Sequence, residues 1–295
     1  MSIALLTAEG LTKDYGSFRA LDALNLSIPA GEIFGLLGPN GSGKSTAIRL
    51  ALGFLKPTSG HVSVAGFDSW TASPEVRRRV AYLPGELRLY ENMTGRQLVR
   101  FLAEVRGEKV SPDVDRLAKR LDIDITRPLT QMSSGMKRKV ALLAVLTPTV
   151  PLIILDEPTN TLDPTMRDQL LEQLSLARDR GQTVIFSSHV LNEVERICDR
   201  VGILKHGKLV HLQPMDALRE EGRFVHARFA RPPEQGPDGQ PLSLEAMQPD
   251  GSLQINHRGP LANLLNWLQQ QEVSELRIEP LGLAPIYHRY HGGAE

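Results

Sequence analysis

The sequence predicts an α/β protein: a mostly parallel sheet with helices on both faces, a helical subdomain inserted into it, and a small α+β domain after it. Three observations predict this fold. Short apolar runs of strand character alternate with amphipathic helical patterns, the arrangement that builds parallel sheets through helical crossovers. One strand-to-helix junction, residues 38–46, is a glycine-rich loop. Between about residues 87 and 148 strand patterns give way to helical ones, and they resume at Pro151.

Composition narrows the function classes. A chain of 295 residues with 41% hydrophobic content is long enough for one large core and a smaller one. Lys+Arg and Asp+Glu both number 34, so no bulk field draws the chain to nucleic acid or acidic lipid. The single cysteine, Cys198, cannot form an intrachain disulfide, which points to a reducing cytosol. Met1–Leu6 lacks the basic start and the apolar length of a signal peptide. The most apolar stretch, Val140–Leu155, is broken by Pro148 and Pro151 and falls short of the ~20 apolar residues of a membrane span. Any work at a membrane is therefore expected to go through a partner.

Taken in order, Leu5–Leu11, Leu24–Ile28 and Ile33–Leu37 read as short strands separated by the turn signals Tyr15-Gly16-Ser17 and Pro29-Ala30-Gly31. Ala47–Leu52 reads as a helix, and His61–Val64 alternates like an edge strand. Ser73-Pro74 reads as a helix start with Ser at the N-cap. Val80–Leu83 is a strand. In the helical stretch, Thr94 to Gln97 forms a capping box, and Leu98, Phe101, Leu102 and Val105 fall on one face. Ser111-Pro112 opens another helix, with Val114, Leu117, Ala118 and Leu121 aligned. Pro151–Leu155 and Thr183–Phe186 are buried strands around a helix that starts at Pro164, and Val201–Leu204 with Lys208–Val210 reads as a hairpin turning at His206-Gly207.

The composition changes near 216–222, which places domains at 1–221 and 222–295. In the second, Phe224–Ala230 alternates like a strand and Arg231–Pro241 is a Pro/Gly-rich loop. Asp250-Gly251 is a turn, Leu261, Leu264, Leu265 and Leu268 make a helix face, and Leu276 and Ile278 belong to a strand. No catalytic cluster is visible there.

The chemistry sits in the first domain. Gly38-Pro39-Asn40-Gly41-Ser42-Gly43-Lys44-Ser45-Thr46 matches G-x-x-x-x-G-K-S between a strand and a helix, the context of a nucleotide-binding loop. Glycines let backbone N–H groups turn inward on phosphates, and the helix N-terminus adds unsatisfied donors and a positive dipole end. Lys44 supplies a cation for the outer phosphates, and the Ser45 hydroxyl can hold Mg²⁺. Tyr15 offers a ring on which a base can stack. Leu152–Leu155 runs into Asp156-Glu157, which puts carboxylates at the sheet edge where open α/β sheets bind ligands. Asp156 can take Mg²⁺, and Glu157 can accept a proton from an attacking water.

Two more stretches, Met132-Ser133-Ser134-Gly135-Met136 before a helix and Ser187-Ser188-His189 after a strand, complete a pattern with Asp156–Thr159 and Thr161–Asp163. In this order the motifs resemble the ATP-binding cassette of ABC transporters over about residues 5–215. The likeness is to the subgroup with a small C-terminal domain that serves exporters with separately encoded membrane subunits. The resemblance implies an ATPase that uses ATP and Mg²⁺. It assigns Tyr15 to the adenine, residues 38–46 to the phosphates, Asp156 to the Mg²⁺ side, Glu157 to catalysis and His189 to the γ-phosphate. Ser133 and Gly135 would close over the γ-phosphate held by a second cassette, and Asp163 would lie at that dimer contact. The implied partners are a second cassette and a membrane permease, with the chain peripheral on the cytoplasmic face and no nucleic acid expected. A soluble ATPase of the same family acting on ribosomes or DNA is the rival reading.

Two departures stand out. The usual Leu-Ser-Gly-Gly-Gln reads Met132-Ser133-Ser134-Gly135-Met136, and a Mg²⁺-touching glutamine is replaced by Gly85, followed by Glu86. Glu86 is the candidate to take over that metal contact. The basic triplets Arg77–Arg79 and Lys137–Lys139 read as solvated helix faces.

Overall fold

In a computed structural model, residues 4–160, 162–231, 233, 235–237, 239, 252–257, 259–280 and 282–291 are described. The chain opens with β1 (Ala4–Tyr15) and β2 (Phe18–Pro29), each 12 residues long and paired antiparallel. They are longer than the short strands expected, because a bulged register lets alternating positions such as Leu6, Ala8 and Leu11 stay buried along nearly the whole hairpin. Then follow β3 (Ile33–Leu37), α1 (Lys44–Ala51), β4 (Ser59–Val64) and β5 (Phe67–Asp68). β4 is not an edge: the order of this sheet is β2-β1-β4-β5, and two-residue β5 takes the outer position.

α2 (Ser73–Arg78) leads into β6 (Val80–Leu83). Its N-cap is Ala72 with no side-chain bond, so the Ser73 hydroxyl does not serve the capping role expected of it. The inserted subdomain holds α3 (Gly95–Arg106), α4 (Val114–Arg120), a 3₁₀ turn at Leu129–Gln131 and α5 (Ser134–Leu146). The capping box of α3 forms: Thr94 Oγ1 accepts from Gln97 N at 3.2 Å, and Gln97 Oε1 accepts from Thr94 N at 2.8 Å. Leu98, Leu129, Met132 and Val140 make the subdomain's core, with Met136 packed against them. That accounts for the apolar end of the signature stretch: Met136 closes a hydrophobic cluster.

β7 (Leu152–Asp156), α6 (Pro164–Asp179), β8 (Thr183–Ser188), α7 (Leu191–Ile197), β9 (Arg200–Lys205) and β10 (Lys208–Pro214) complete the main sheet. It has six strands in the order β10-β9-β3-β8-β7-β6, and β9, β3, β8, β7 and β6 run parallel. Its central strands are buried on both faces, the reason they read as unbroken apolar runs. Phe34, Leu36, Ile154 and Ile185 face a core shared with α1 and the antiparallel sheet.

Residues 4–212 and 213–291 are separate compact units. The division falls before 221 because α8 (Met215–Glu221) contacts the second unit's own sheet. That sheet is antiparallel, β12-β11-β13, built from β11 (Arg223–Phe229), β12 (Ser252–His257) and β13 (Val273–Pro280). It packs on α9 (Leu261–Gln269), with α10 (Ala284–His291) closing the chain. Leu264 and Leu268 enter this core whereas Leu261 and Leu265 stay exposed, so the apolar face of α9 is narrower than its sequence suggests. The Asp250-Gly251 turn lies outside the described residues.

Candidate active site

Parallel pairing sets the site's position. Leu37 lies opposite Ser188, Asp156 opposite Ser187 and Leu83 opposite Leu155, so four strands end at one level. The loops after them converge. The first is the glycine loop, and two of its glycines are sterically required. An added Cβ at Gly38 would sit 2.4 Å from Ser42 Oγ and 2.5 Å from the Leu204 carbonyl, and one at Gly43, where φ is +108, 2.8 Å from the Ala20 carbonyl. Gly43 in this left-handed conformation is the N-cap of α1, whose first N–H groups are left for a ligand.

A cleft of about 300 Å³ opens over the loop, lined by Asn40 to Thr46 with Tyr15, Phe18, Arg49 and Glu157. Tyr15 and Phe18 are both exposed beside it. The Ser42 hydroxyl is buried and has no partner among the described residues, an orphaned donor within the loop. Lys44 is buried, and its Nζ donates to the carbonyls of Gly38 at 2.7 Å and Pro39 at 3.2 Å. The same ammonium lies 3.1 Å from Glu157 Oε1.

Glu157 is the hub. Its φ of +46 is left-handed, a conformation that costs a non-glycine residue about 1–2 kcal/mol. Three contacts hold its carboxylate: Lys44, an Asn160 Nδ2 hydrogen bond at 2.5 Å, and His189 Nδ1 at 3.4 Å. Burial pushes the carboxyl's pKa up, but the hydrogen bonds from Asn160 and Lys44 and the nearby positive charge outweigh it and hold the pKa below the ordinary range. Ser187 fixes the backbone beneath: its hydroxyl donates to Asp156 Oδ1 at 2.7 Å and accepts the Glu157 N–H at 2.9 Å. Deeper still, the buried Glu193 carboxylate accepts from Thr159 at 2.8 Å and from Ser188 at 3.2 Å. This ties the segment after Glu157 to the one before His189.

The structure brings Lys44, Asp156, Glu157 and His189 together. It does not bring Ser133, Gly135 or Asp163 to this cleft. Ser133 is the N-cap of α5, its Oγ accepting from Met136 N at 3.2 Å, and nothing crowds Gly135. Asp163 caps α6 through Met166 N at 2.9 Å, and its neighbour Thr161 lies outside the described residues. The Ser45 hydroxyl and the Asp156 carboxylate are hard oxygen donors of the kind Mg²⁺ takes. Among the described residues no group of three or more His, Cys, Asp or Glu could hold a metal.

Glu86 is exposed and has no hydrogen bond or ion pair among the described residues. Gly85 faces the site instead: a Cβ there would be 3.5 Å from the Asp156 carbonyl and 3.9 Å from its carboxylate, ordinary contacts. The triplet Lys137–Lys139 is not a solvated face throughout. Lys137 pairs with Glu91 at 2.5 Å, but Arg138 is buried. Sequence reasoning missed Phe18, Asn160, Ser187 and Arg138 as parts of the site. Only Ser187 carried a signal, as the residue that parallel register sets beside Asp156.

Comparison with known proteins bears on this geometry. The family described as ABC transporter matches residues 21–160. The bacitracin transport ATP-binding protein BcrA of Bacillus licheniformis is 35% identical over 226 residues, 76% of this chain and 74% of its own length. The linearmycin resistance ATP-binding protein LnrL of Bacillus subtilis (strain 168) is 34% identical over 211 residues, 70% of this chain and 68% of its own. A solved ATP-binding subunit of an ABC transporter superposes with a TM-score of 0.67 at 31% identity, covering 73% of this chain and 92% of that one.

Two outcomes follow from the contacts around Glu157. Ser187→Ala strands a buried N–H and removes a donor from Asp156, so chemical denaturation should show a loss of about 1–3 kcal/mol. The lowered pKa of Glu157 contributes stability that is fully present above the ordinary value of 4.5 and is lost as pH falls through the lowered one. The stability difference between wild type and Glu157→Gln should therefore be flat above about pH 5 and shrink below it in a pH series of melts.

Proposed function

As a member of the ABC transporter family, the chain is an ATP-binding and ATP-hydrolysing subunit. From that premise we propose that two copies close around two MgATP and drive a separately encoded permease towards export. The observation that carries the hydrolytic part of this reading is the Lys44–Glu157 pair at 3.1 Å at the glycine loop. It sets a cation for the γ-phosphate beside a carboxylate able to take a proton from water. An incoming γ-phosphate competes for Lys44 and frees one oxygen of Glu157 to orient and deprotonate the attacking water. Backbone N–H groups of the loop and the start of α1 take the remaining phosphate charge. His189, already against Glu157, would be the contact to the same phosphate. Tyr15, with Phe18 beside it, offers stacking area for the base.

Ser45 and Asp156 would hold Mg²⁺, which supplies charge compensation at the β- and γ-phosphate oxygens when bound. Ser133, Gly135 and Asp163 lie away from their own chain's cleft, which supports their use on the ATP of a second copy. Helix α5 would then present its N-terminus and the Ser133 hydroxyl to that γ-phosphate. Such a shared phosphate stabilises the closed pair, and its loss on hydrolysis lets the halves part. Export is supported by the names of the relatives, a bacitracin transport protein and a linearmycin resistance protein. Among the described residues no helix is long and apolar enough to cross a membrane. The proposed location is the cytoplasmic face of the membrane, held there by the permease. Residues beyond about 213–221 form an accessory domain in this reading.

Glu157→Gln should bind ATP yet hydrolyse it poorly and collect as an ATP-dependent dimer in size-exclusion chromatography. Lys44→Ala should lose nucleotide binding. A Glu157→Gln chain that stays monomeric with saturating MgATP would overturn the two-copy reading. For the metal contact proposed for Glu86, Glu86→Ala should lower ATPase turnover about 10-fold with an unchanged melt. Adding Gly85→Gln, which the contacts at Gly85 permit, should restore it. Wild-type turnover in the single variant would remove Glu86 from the site.

A further inference from the structure

Arg138 lies on the second turn of α5, five positions beyond Ser133, with its guanidinium buried beneath the site. Among the described residues it meets no carboxylate. Instead Nη1 donates to the carbonyls of Pro84 and Gly85, both at 3.1 Å, Nη2 to that of Glu157 at 3.0 Å, and Nε to that of Pro158 at 3.4 Å. Burial lowers its pKa, and the negative charge of Asp156 acts against that lowering.

A buried cation without an ion-pair partner is expensive, and a well-packed apolar side chain of the same size commonly serves stability as well or better. Stability alone is thus a poor reason for an arginine here. What the guanidinium supplies is geometry. Its rigid planar fork holds two separate loops in a fixed geometry, which the three rotatable donors of a lysine ammonium do not impose. The two loops follow β6 and β7, adjacent parallel strands. One carries Gly85, whose missing side chain would begin against Asp156, and the other carries Glu157 itself.

We propose that Arg138 is a positioning residue for hydrolysis: it clamps the main chain at Pro84-Gly85 and Glu157-Pro158 to the helix that begins at Ser133. The aim of the Glu157 carboxylate thereby depends on whether that helix is engaged by the other copy's ATP. The inference rests on the two-copy reading above. A displacement of about 1 Å in a catalytic group is enough to cost about 100-fold in rate, so a modest shift of α5 suffices.

The test compares Arg138→Lys and Arg138→Gln with wild type in the full chain with MgATP. Turnover, KM for ATP, the Hill coefficient and the melting temperature are measured, and the ATP-dependent dimer is followed in the Glu157→Gln background. Both variants should keep ATP affinity, folded content and the dimer. Turnover should fall about 10- to 100-fold, with the Hill coefficient dropping towards one because the two sites no longer inform each other. The inference is overturned if turnover of both variants stays within about twofold of wild type, if the loss merely tracks unfolded protein, or if cooperativity is unchanged. A wild-type chain that hydrolyses ATP as a monomer at every concentration overturns the two-copy reading, and the coupling with it. A wild-type dimer with unaffected variants overturns the role of Arg138 alone.

Discussion

In-register pairing of β3, β8, β7 and β6 is the constraint on which the chemistry rests. Leu37, Ser188, Asp156 and Leu83 end these strands on one edge, so loops far apart in sequence emerge side by side. A one-residue slip in such a core sheet would break its backbone hydrogen bonds and move buried Phe34, Ile154 and Phe186 out of the packing that each face provides. The edge is therefore stiff, and the loops need only short side-chain ties to be placed. Ser187 shows the economy of this arrangement: one hydroxyl, set opposite Asp156 by register, orients the Asp156 carboxylate and the peptide of Glu157 together.

Around Glu157 the contacts compete. Lys44, Asn160 and His189 all reach for one carboxylate. The Lys44 pair in particular satisfies the same charge that a γ-phosphate would satisfy in the proposed complex. Binding then exchanges one partner for another without desolvating a lone ammonium, which would be costly for a group this buried. The same exchange removes a hydrogen bond that lowers the carboxyl's pKa and leaves it a better proton acceptor.

Much of this was legible in the sequence because it rests on local rules. A glycine loop between strand and helix, an apolar strand ending in two acids, a capping box at Thr94 and the His206-Gly207 hairpin each need only a few consecutive residues. Contacts set by tertiary packing were not legible. Nothing in Met132–Met136 says that Met136 packs on a helical core, and a basic triplet gives no hint that its middle member is buried while its first pairs with Glu91. His61–Val64 looked like an edge because its alternation is that of a half-exposed strand, yet its exposure comes from one face of an internal position. The roles expected of Ser133, Gly135 and Asp163 came only through the family resemblance, since single residues of these types have no spacing rule of their own.

The departure at Gly85 can be understood through the backbone. A glutamine there would signal through its side chain, and Gly85 has none. Its carbonyl, however, accepts from Arg138, which also holds the Glu157 carbonyl. A change in the loop after β6 can thus reach the catalytic glutamate through main-chain atoms and one guanidinium, without any side chain at position 85. Main-chain carbonyls are present whatever residue occupies the position, so a connection of this kind does not depend on the side chain at position 85 while demanding an arginine at 138.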